Sequence, residues 1–219
     1  MLDISCERLT LDRIKTPLGQ ALLITDTDDR LRALDWEDSE ARMARLLRLH
    51  YGEDAVELVA GDGSGRVVDA LRAYLSGDLG ALDAVPVETG GTEFQRRVWR
   101  ELRRIRAGTT LSYRQLARRI GRPDAVRAVA HANGSNPVGV VVPCHRVVGS
   151  DGSLTGYAGG LDRKRWLLSH EGVAASDGRP AITAGSSRER SVPAAAFASP
   201  PRRPAGVRAA DRPPRPCRA

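Results

Sequence analysis

The sequence predicts an α+β fold, in which a strand-rich front is followed by a helical middle. Between residues 8 and 36, short apolar runs alternate with turn-forming segments, which is typical of a three-stranded antiparallel meander. Between residues 92 and 171, apolar residues recur at helical spacing behind helix-capping signals. These observations predict a small antiparallel sheet with helices in residues 1–90 and a helical domain in residues 91–172.

Charge is distributed unevenly along the 219 residues, whose net charge is +7. Residues 1–93 carry a net −9, residues 94–147 a net +10 and residues 173–219 a net +6. A basic segment of domain size is the electrostatic footprint of nucleic-acid binding, and a solvated charged face is the alternative. The last segment also holds 8 of the 13 prolines, so we predict a disordered tail over residues 173–219.

Membrane spans, leader sequences and disulfide frameworks are not indicated. No apolar run reaches the length of about 18 residues that suggests a membrane helix, and the first residues carry neither a basic segment nor a signal-peptide core. Three cysteines, at positions 6, 144 and 217, form no Cys-x-x-Cys pair that would suggest zinc. We therefore expect a cytoplasmic protein.

The front half shows secondary-structure patterns but no cluster of catalytic residue types, so we assign it a scaffolding role. Gly61–Gly65 is interpreted as a flexible turn, since one glycine-rich stretch is weak evidence for a phosphate-binding loop. Gly90–Gly91 is the predicted domain hinge. The predicted elements are three strands around Leu9 and Leu11, residues 21–24 and residues 31–36, helices over residues 39–50 and 66–76, and an edge strand over residues 85–87.

Three helices are predicted in the middle of the chain. Thr92 and Gln95 match one capping box, and Ser112 and Gln115 match a second, each before an apolar-periodic segment. A third helix, from residue 124 to about residue 133, follows a tight glycine-containing turn. Two short helices joined in this way form a helix-turn-helix.

The second helix of this pair contains mostly small residues and one arginine. Small residues such as Ala128 would allow a close approach to the sugar-phosphate backbone or to a narrow minor groove. Arg127 could then enter the duplex, which is compatible with base flipping. An ordinary surface arginine is the alternative, and the residues alone favour it.

One short segment combines residues that can carry chemistry. Three valines, residues 140–142, predict a buried strand that Pro143 ends, so that Cys144 lies just beyond it. His145 and Arg146 would supply positive charge, which lowers a thiol pKa and favours a nucleophile. A buried structural cysteine is the alternative.

Two residues outside this segment are further candidates for a role near the site. Asn136 precedes a proline, and its side chain is free for local backbone hydrogen bonds. Tyr157 lies in a glycine-rich loop, where it either lines a pocket or fills a core.

The segment Pro143-Cys144-His145-Arg146-Val147 resembles the active-site motif of the methylated-DNA–protein-cysteine methyltransferases, or O6-alkylguanine-DNA alkyltransferases. The resemblance covers residues 90–172, is weaker in the front half and implies a ribonuclease H-like N-terminal domain and a C-terminal winged helix-turn-helix. The further matching segments, in order, are Thr92-Glu93-Phe94-Gln95 with Val98-Trp99, Thr110-Leu111-Ser112-Tyr113, Arg127-Ala128-Val129, Asn136-Pro137, Gly156-Tyr157-Ala158-Gly159-Gly160-Leu161, and Trp166-Leu167-Leu168 with His170-Glu171.

The resemblance implies direct DNA repair. An alkyl group would move irreversibly from O6 of guanine in duplex DNA to Cys144, with the base flipped out through the minor groove, and O4 of thymine is a second candidate position. Because a thioether offers no hydrolysable bond, each molecule would act once. No cofactor is implied, and no zinc site is expected because Cys6 stands alone. Alkylated double-stranded DNA is the expected partner of a monomer, with cooperative binding left open, and no membrane is involved.

The same resemblance implies residue roles. His145 would act as the base for Cys144 through a water molecule, and Glu171 would hold the imidazole in the correct tautomer. Tyr113 would protonate the departing guanine, and Asn136 would tie the recognition helix to the active-site strand.

The resemblance also implies one set of residues that contact DNA and another that lines the pocket for the flipped base. Among the DNA contacts, Arg127 would take the place of the flipped nucleotide. The DNA-binding set is Ser112, Tyr113, Arg127 and Ala128. The base-pocket set is Tyr157, Val147, Ala158 and Gly159, with Gly160 beside them.

Three other functions are alternatives for this sequence. A recognition-only protein of this fold would lack the acceptor cysteine, which Cys144 supplies. A transcriptional regulator would need a sensing domain, for which there is no room before residue 90. A cysteine hydrolase with a Cys-His-Glu relay would need an oxyanion hole and would have no use for Arg127.

Overall fold

A computed structural model of the protein describes residues 7–52 and 55–173. The predicted tail from residue 174 onward lies outside them, as do the cysteines at positions 6 and 217. The strands are β1 (Glu7–Thr16), β2 (Gly19–Thr25), β3 (Leu31–Trp36), β4 (Val56–Ala60), β5 (Leu111–Ser112) and β6 (Val147–Val148). The helices are α1 (Glu40–Tyr51), α2 (Arg66–Leu75), α3 (Glu93–Arg103), α4 (Tyr113–Arg119), α5 (Val126–Gly134) and α6 (Leu161–His170). Two 3-10 helices span Glu37–Ser39 and Cys144–Arg146.

A four-stranded sheet forms in the front half, in the order β3-β2-β1-β4. The predicted meander is present, because β1 pairs antiparallel with β2, which pairs antiparallel with β3. The prediction of a purely antiparallel sheet is wrong, since β4 pairs in parallel with β1. The strand β4 was missed because four of its five residues are only partly buried, the last is exposed, and they form no long apolar run.

The predicted edge strand over residues 85–87 is also wrong, and only a single bridge between Val87 and Leu31 remains. The carbonyl of Pro86 accepts a hydrogen bond from the Leu31 amide at 2.8 Å. Pro86 has no N–H of its own, so the pairing cannot continue as a ladder.

The outer edge of β3 contacts the segment that leads to Cys144. The Leu34 amide donates to the carbonyl of Pro137 at 2.9 Å, and the Gly139 amide donates to the carbonyl of Leu34 at 2.9 Å. The front sheet is therefore joined by backbone hydrogen bonds to the chain just before the candidate nucleophile.

Residues 140–142 do not form the predicted strand. They form tight turns, in which the Val141 amide donates to the carbonyl of Gly139 at 2.8 Å and the Val142 amide donates to the carbonyl of Val138 at 3.0 Å. Val140 has a φ of +66°, which is incompatible with a strand. The valines are buried as expected, but their burial comes from tertiary packing. The β-branched run was therefore misread because burial and strand pairing are separate properties.

Both predicted capping boxes are present. The side chains of Thr92 and Gln95 exchange hydrogen bonds with each other's backbone amides at the start of α3. Ser112 and Gln115 do the same at the start of α4. These caps satisfy amides that have no partner inside the helix, and they set where each helix begins.

The helix α5 begins two residues later than predicted, because the chain first makes a turn in which the Ala125 amide donates to the carbonyl of Arg122 at 3.0 Å. Gly121 follows α4 with a φ of +67°, and α4 and α5 pack against each other. The molecule is thus mixed α+β. The ribonuclease H-like and winged details stay predictions.

The apolar core is shared by both halves of the chain. It includes Leu34 and Tyr74 from the front half and Val98, Leu116 and Leu167 from the later helices. The proposed domain boundary, which stays a prediction, therefore does not divide the packing. Among the described residues, no helix has the length and apolar character needed to cross a membrane.

Candidate active site

Cys144 is the first residue of the 3-10 helix Cys144–Arg146 and is 7% exposed. The segment before it is hydrogen-bonded to β3 at residues 137 and 139. Cys144 lines a cavity of about 20 Å³. A cavity of this size holds about one water molecule. A larger ligand would have to displace part of the wall.

Asn136 connects the thiol to the backbone around it. Its side-chain Nδ2 donates to Sγ of Cys144 at 3.2 Å and to the carbonyl of Val142 at 2.8 Å. Its Oδ1 accepts from the Val138 amide at 3.0 Å. The side chain therefore makes the local backbone hydrogen bonds expected of it and also holds the sulfur.

A buried network joins His145 to Glu171. His145 Nε2 lies 3.0 Å from Oε1 of Glu171. Two further groups donate to the same oxygen: the Tyr74 hydroxyl at 2.7 Å and Arg146 Nη2 at 2.8 Å. Arg146 also donates from Nε to Oε2 at 3.0 Å and from Nη1 to the carbonyl of Ile105.

These contacts define the protonation state of the pair. Burial would raise the pKa of Glu171, but hydrogen bonds from His145 and Arg146 and the charge of Arg146 outweigh it and lower the pKa to about 2. Burial lowers the pKa of His145, with Glu171 opposing, so the imidazole is neutral at pH 7. An ionised carboxylate only accepts, so Nε2 carries the proton. His145 Nδ1 has no hydrogen-bond partner among the residues that the structure describes.

Arg146 does not supply the charge expected beside the thiol, because its guanidinium is committed to Glu171. Burial raises the pKa of the Cys144 thiol, and the hydrogen bond from Asn136 and the charges of Arg42 and Lys164 oppose this rise. The cations that act on the sulfur thus come from elements far away in sequence. The thiol stays largely protonated at neutral pH and needs a base to become a nucleophile.

Arg42, on α1, is one of these cations and was not anticipated. Its Nη2 donates to the carbonyls of Gly134 at 2.9 Å and Asn136 at 3.0 Å, and its Nη1 donates to the buried carboxylate of Asp35. Asp35 and Trp36 from β3 also line the cavity beside Cys144. The assignment of the front half to a purely scaffolding role is therefore too narrow.

Lys164 is the second unanticipated residue. It is fully buried on α6, and its Nζ donates to the carbonyls of Val147 at 2.6 Å and Thr155 at 2.8 Å. Its position three residues before Leu167 places it on the apolar face of the helix, and this periodicity was a signal that could have found it. A third residue from outside the motif is Tyr74 on α2, whose hydroxyl reaches the carboxylate of Glu171.

The expected pocket residues divide into two groups. Tyr157, Ala158 and Gly159 line the cavity beside Cys144. Val147 does not line it. Val147 is fully buried in β6, which pairs with β5, and its carbonyl accepts from Lys164.

Tyr113 begins α4 and is partly buried. Burial raises the pKa of its phenol, while hydrogen bonds with the side chains of Thr155 and Asn133 oppose the rise. The phenol therefore keeps its proton at neutral pH. On the neighbouring α5, Arg127 and Ala128 are both exposed.

We expect the unusual protonation of Lys164 to be visible in the stability of the fold. Burial lowers its pKa to about 8, against about 10.4 in the unfolded chain. Between these values the unfolded chain binds more protons, so the free energy of unfolding rises with pH. From pH 7.5 to pH 9.5 we expect a rise of about 2 kcal/mol for the native chain relative to Lys164→Met. Urea unfolding at three pH values measures it.

The chain offers a matched control for this prediction, because its only other lysine, Lys15, is exposed. Lys15→Met should keep the pH dependence of the native chain. Identical slopes for the native chain and Lys164→Met would contradict the assignment of a buried, readily deprotonated amine.

The described residues contain no group of three or more histidine, cysteine, aspartate or glutamate side chains placed to hold a metal ion. The prediction that the protein needs no zinc is not tested by this observation and stays a prediction.

Known proteins are similar to this chain over most of its described residues. Residues 93–173 match a family model described as 6-O-methylguanine DNA methyltransferase, DNA binding domain. A methylated-DNA–protein-cysteine methyltransferase of Shigella flexneri is 51% identical over 165 residues, which are 75% of this chain and 96% of that protein. A protein of the same name from Salmonella typhimurium is 50% identical over the same shares of the two chains.

Solved structures show the same likeness. The O6-methylguanine methyltransferase of Mycobacterium tuberculosis superposes with a TM-score of 0.60 and 35% identity, over 80% of this chain and 96% of that one. A structure of the M. tuberculosis OGT in complex with DNA gives a TM-score of 0.59 and 36% identity, over 74% and 93% of the two chains.

Fold, site and relatives together define a methyltransferase that carries a DNA-binding domain. The chain belongs to the methylated-DNA–protein-cysteine methyltransferase family.

Proposed function

We propose that the protein repairs duplex DNA by moving an alkyl group from O6 of guanine to Sγ of its own Cys144. The observation that carries this proposal is the different hydrogen bonding of the two ring nitrogens of His145. Its Nε2 is committed to Glu171, and Nδ1 is left as the nitrogen with a free lone pair, one residue from a thiol held by Asn136. A neutral imidazole in this tautomer is a base for a neighbouring thiol.

In the proposed reaction the thiol proton passes to His145 Nδ1, through a water molecule because neighbouring side chains rarely share a face. The thiolate attacks the alkyl carbon in line with the C–O6 bond. A C–S bond forms, the C–O6 bond breaks, and the electron pair leaves with guanine. The thioether has no bond that water readily hydrolyses, so each molecule acts once.

Tyr113 is the proposed proton donor to the departing guanine. Its raised pKa keeps the phenol protonated until the leaving base accepts the proton. Solvent then returns a proton to Tyr113 and removes one from His145, so that charge and protons balance over the whole reaction.

The helices α4 and α5 form the proposed DNA-binding helix-turn-helix, of the winged type, behind a ribonuclease H-like front domain. Ser112 caps α4 and would lie near the backbone, and the small, exposed Ala128 would allow a close approach. Arg127 is exposed and would fill the space left by a base flipped through the minor groove. Further exposed arginines on this surface, which favour phosphate contacts, are Arg114, Arg118, Arg119 and Arg122.

The proposed base pocket is bounded by Tyr157, Ala158 and Gly159, which line the cavity beside the thiol. Burial raises the pKa of Tyr157 well above its ordinary value, so its ring meets the substrate as a neutral phenol. O4 of thymine remains a second proposed substrate position. We propose a cytoplasmic monomer that is associated with the nucleoid through DNA.

The direct test uses the native chain and duplex DNA containing radiolabelled O6-methylguanine. We expect label on the protein that saturates at about one methyl group per chain, and we expect mass spectrometry to find it on the peptide that contains Cys144. Label on a peptide containing Cys6 or Cys217 would contradict the assignment. Release of methylated products beyond one equivalent would contradict the single-use mechanism.

A further inference from the structure

Arg163, near the start of α6, joins three parts of the molecule. Its Nε donates to the carbonyl of Leu18 in the β1–β2 turn at 2.9 Å. Its Nη1 donates to the carbonyl of Gly159 at 2.9 Å and to the carboxylate of Asp38 at 2.9 Å. Its guanidinium carbon lies 4.7 Å from the centre of the Trp36 ring. One side chain thus holds the pocket loop against the front sheet.

Trp36 and Gly159 meet at the wall of the cavity beside Cys144. Trp36 is 2% exposed at the end of β3. A Cβ atom on Gly159 would lie 2.7 Å from the indole Nε1 and 2.9 Å from Cε1 of Tyr157, so no side chain larger than hydrogen fits between these rings. The loop is therefore packed directly on the indole, with no space between them for a side chain.

We propose that Trp36, held by Arg163, sets the largest alkyl group that the protein accepts. This inference rests on the proposed function, since it takes Cys144 as the acceptor. Trp36 is the specificity-determining residue, because it lines the same small cavity as the thiol. Arg163 is a positioning residue, because it acts through the indole and through the carbonyl of Gly159.

The packing of the cavity wall gives a physical reason for this selection. Trp36 and Gly159 line the cavity that Cys144 also lines, and the loop at Gly159 lies directly on the indole. The wall must move to admit any base, and an alkyl chain longer than methyl requires the indole or the loop to move further outward. The hydrogen bonds of Arg163 to Gly159, Leu18 and Asp38 resist that movement, because all three partners lie on different elements. Bulky groups are therefore penalised more than methyl.

The test compares single-turnover rates on two duplexes of the same sequence, one with O6-methylguanine and one with O6-butylguanine. The readout is the ratio of the butyl rate to the methyl rate, which a general loss of stability would not raise. For Arg163→Met and for Trp36→Phe we expect this ratio to rise about tenfold over the native chain, since one or a few methylene groups change selectivity by that order.

Arg165→Met is the matched control. Arg165 lies on the same helix, is exposed, and forms an ion pair with Asp162 at 2.9 Å on the surface. Its ratio should equal that of the native chain. Arg163→Lys keeps a cation but loses the planar stacking and the forked donors, so its ratio should lie between those of the native chain and Arg163→Met.

An unchanged or lower ratio in both Arg163→Met and Trp36→Phe would overturn the proposal. Loss of methyl transfer in Arg163→Met together with an unchanged ratio in Trp36→Phe would also overturn it, because the contact would then serve activity as a whole. Failure of the native chain to transfer methyl to Cys144 would instead contradict the proposed function, so the two failures are distinguishable.

Discussion

Replacing Cys144 with serine is expected to reduce methyl transfer to background while leaving DNA binding within a few-fold of the native chain. A serine hydroxyl is far harder to ionise than a thiol, and a neutral imidazole cannot make it an effective nucleophile towards an alkyl carbon. DNA binding should persist because Sγ is buried and its hydrogen-bond partner is the side chain of Asn136 within the protein. Filter binding and protein-bound label measure the two properties separately.

The other two cysteines supply matched controls. Cys6→Ser and Cys217→Ser change the same chemical group at positions outside the described residues, and both should transfer a full equivalent of methyl. Transfer that survives in Cys144→Ser, or that disappears in Cys217→Ser, would show that the acceptor has been assigned to the wrong residue. Binding without transfer in the native chain would favour the recognition-only alternative.

Replacing Glu171 with glutamine is expected to lower the transfer rate by a factor on the order of 10²–10⁴. The amide NH₂ of glutamine can donate to His145 Nε2, which would move the ring proton to Nδ1. Nδ1, the nitrogen that is proposed to act as the base, would then already hold a proton and could not accept one from the thiol. Rapid-quench measurement of single-turnover transfer tests the effect.

The same substitution should also destabilise the fold by about 3–5 kcal/mol, because it leaves a buried charge without its counter-charge. The Arg146 side chain is 8% exposed and the Glu171 side chain is fully buried, so water replaces little of the lost interaction. Denaturant unfolding measures this cost, and transfer rates should be taken at a temperature where both proteins are folded.

Two variants separate the roles of this carboxylate. Tyr74→Phe removes one donor to Oε1 but keeps the charge and the tautomer, so its rate should fall much less than that of Glu171→Gln. Glu57→Gln breaks an exposed ion pair with Arg8 and should change stability by less than about 1 kcal/mol. A rate for Glu171→Gln within a few-fold of native would contradict the tautomer role.

The local signals in the sequence were reliable wherever the chain interacts with its near neighbours. Capping boxes at Thr92 and Ser112 begin helices as predicted, because the donors and acceptors lie within three residues of each other. The meander of β1, β2 and β3 follows from alternating apolar runs and short turns. Residues 140–142 and the strand β4 were mispredicted, because turn geometry and partial burial leave no periodic trace.

In the candidate active site, too, the residues of the local motif were predicted, whereas the contacts between distant residues were not. Cys144, His145, Asn136 and Glu171 were singled out from their motif, and they lie in one buried cluster. The partner of Arg146 was not foreseen. Its position two residues after Cys144 suggested an effect on the thiol, but its side chain points to Glu171. A short separation in sequence does not determine the direction in which a side chain of a 3-10 helix points.

The sequence by itself determined the class of fold, the helix boundaries near capping residues, the family and the candidate nucleophile, because each of these depends on short-range patterns or on a compact motif. Only the tertiary structure decided which distant groups surround that nucleophile and the neighbouring His145–Glu171 pair. Tyr74, Arg42, Trp36 and Lys164 come from α2, α1, β3 and α6, and no spacing in the chain connects them to Cys144. Their influence depends on distance and burial in three dimensions, and the folding of the whole chain sets both.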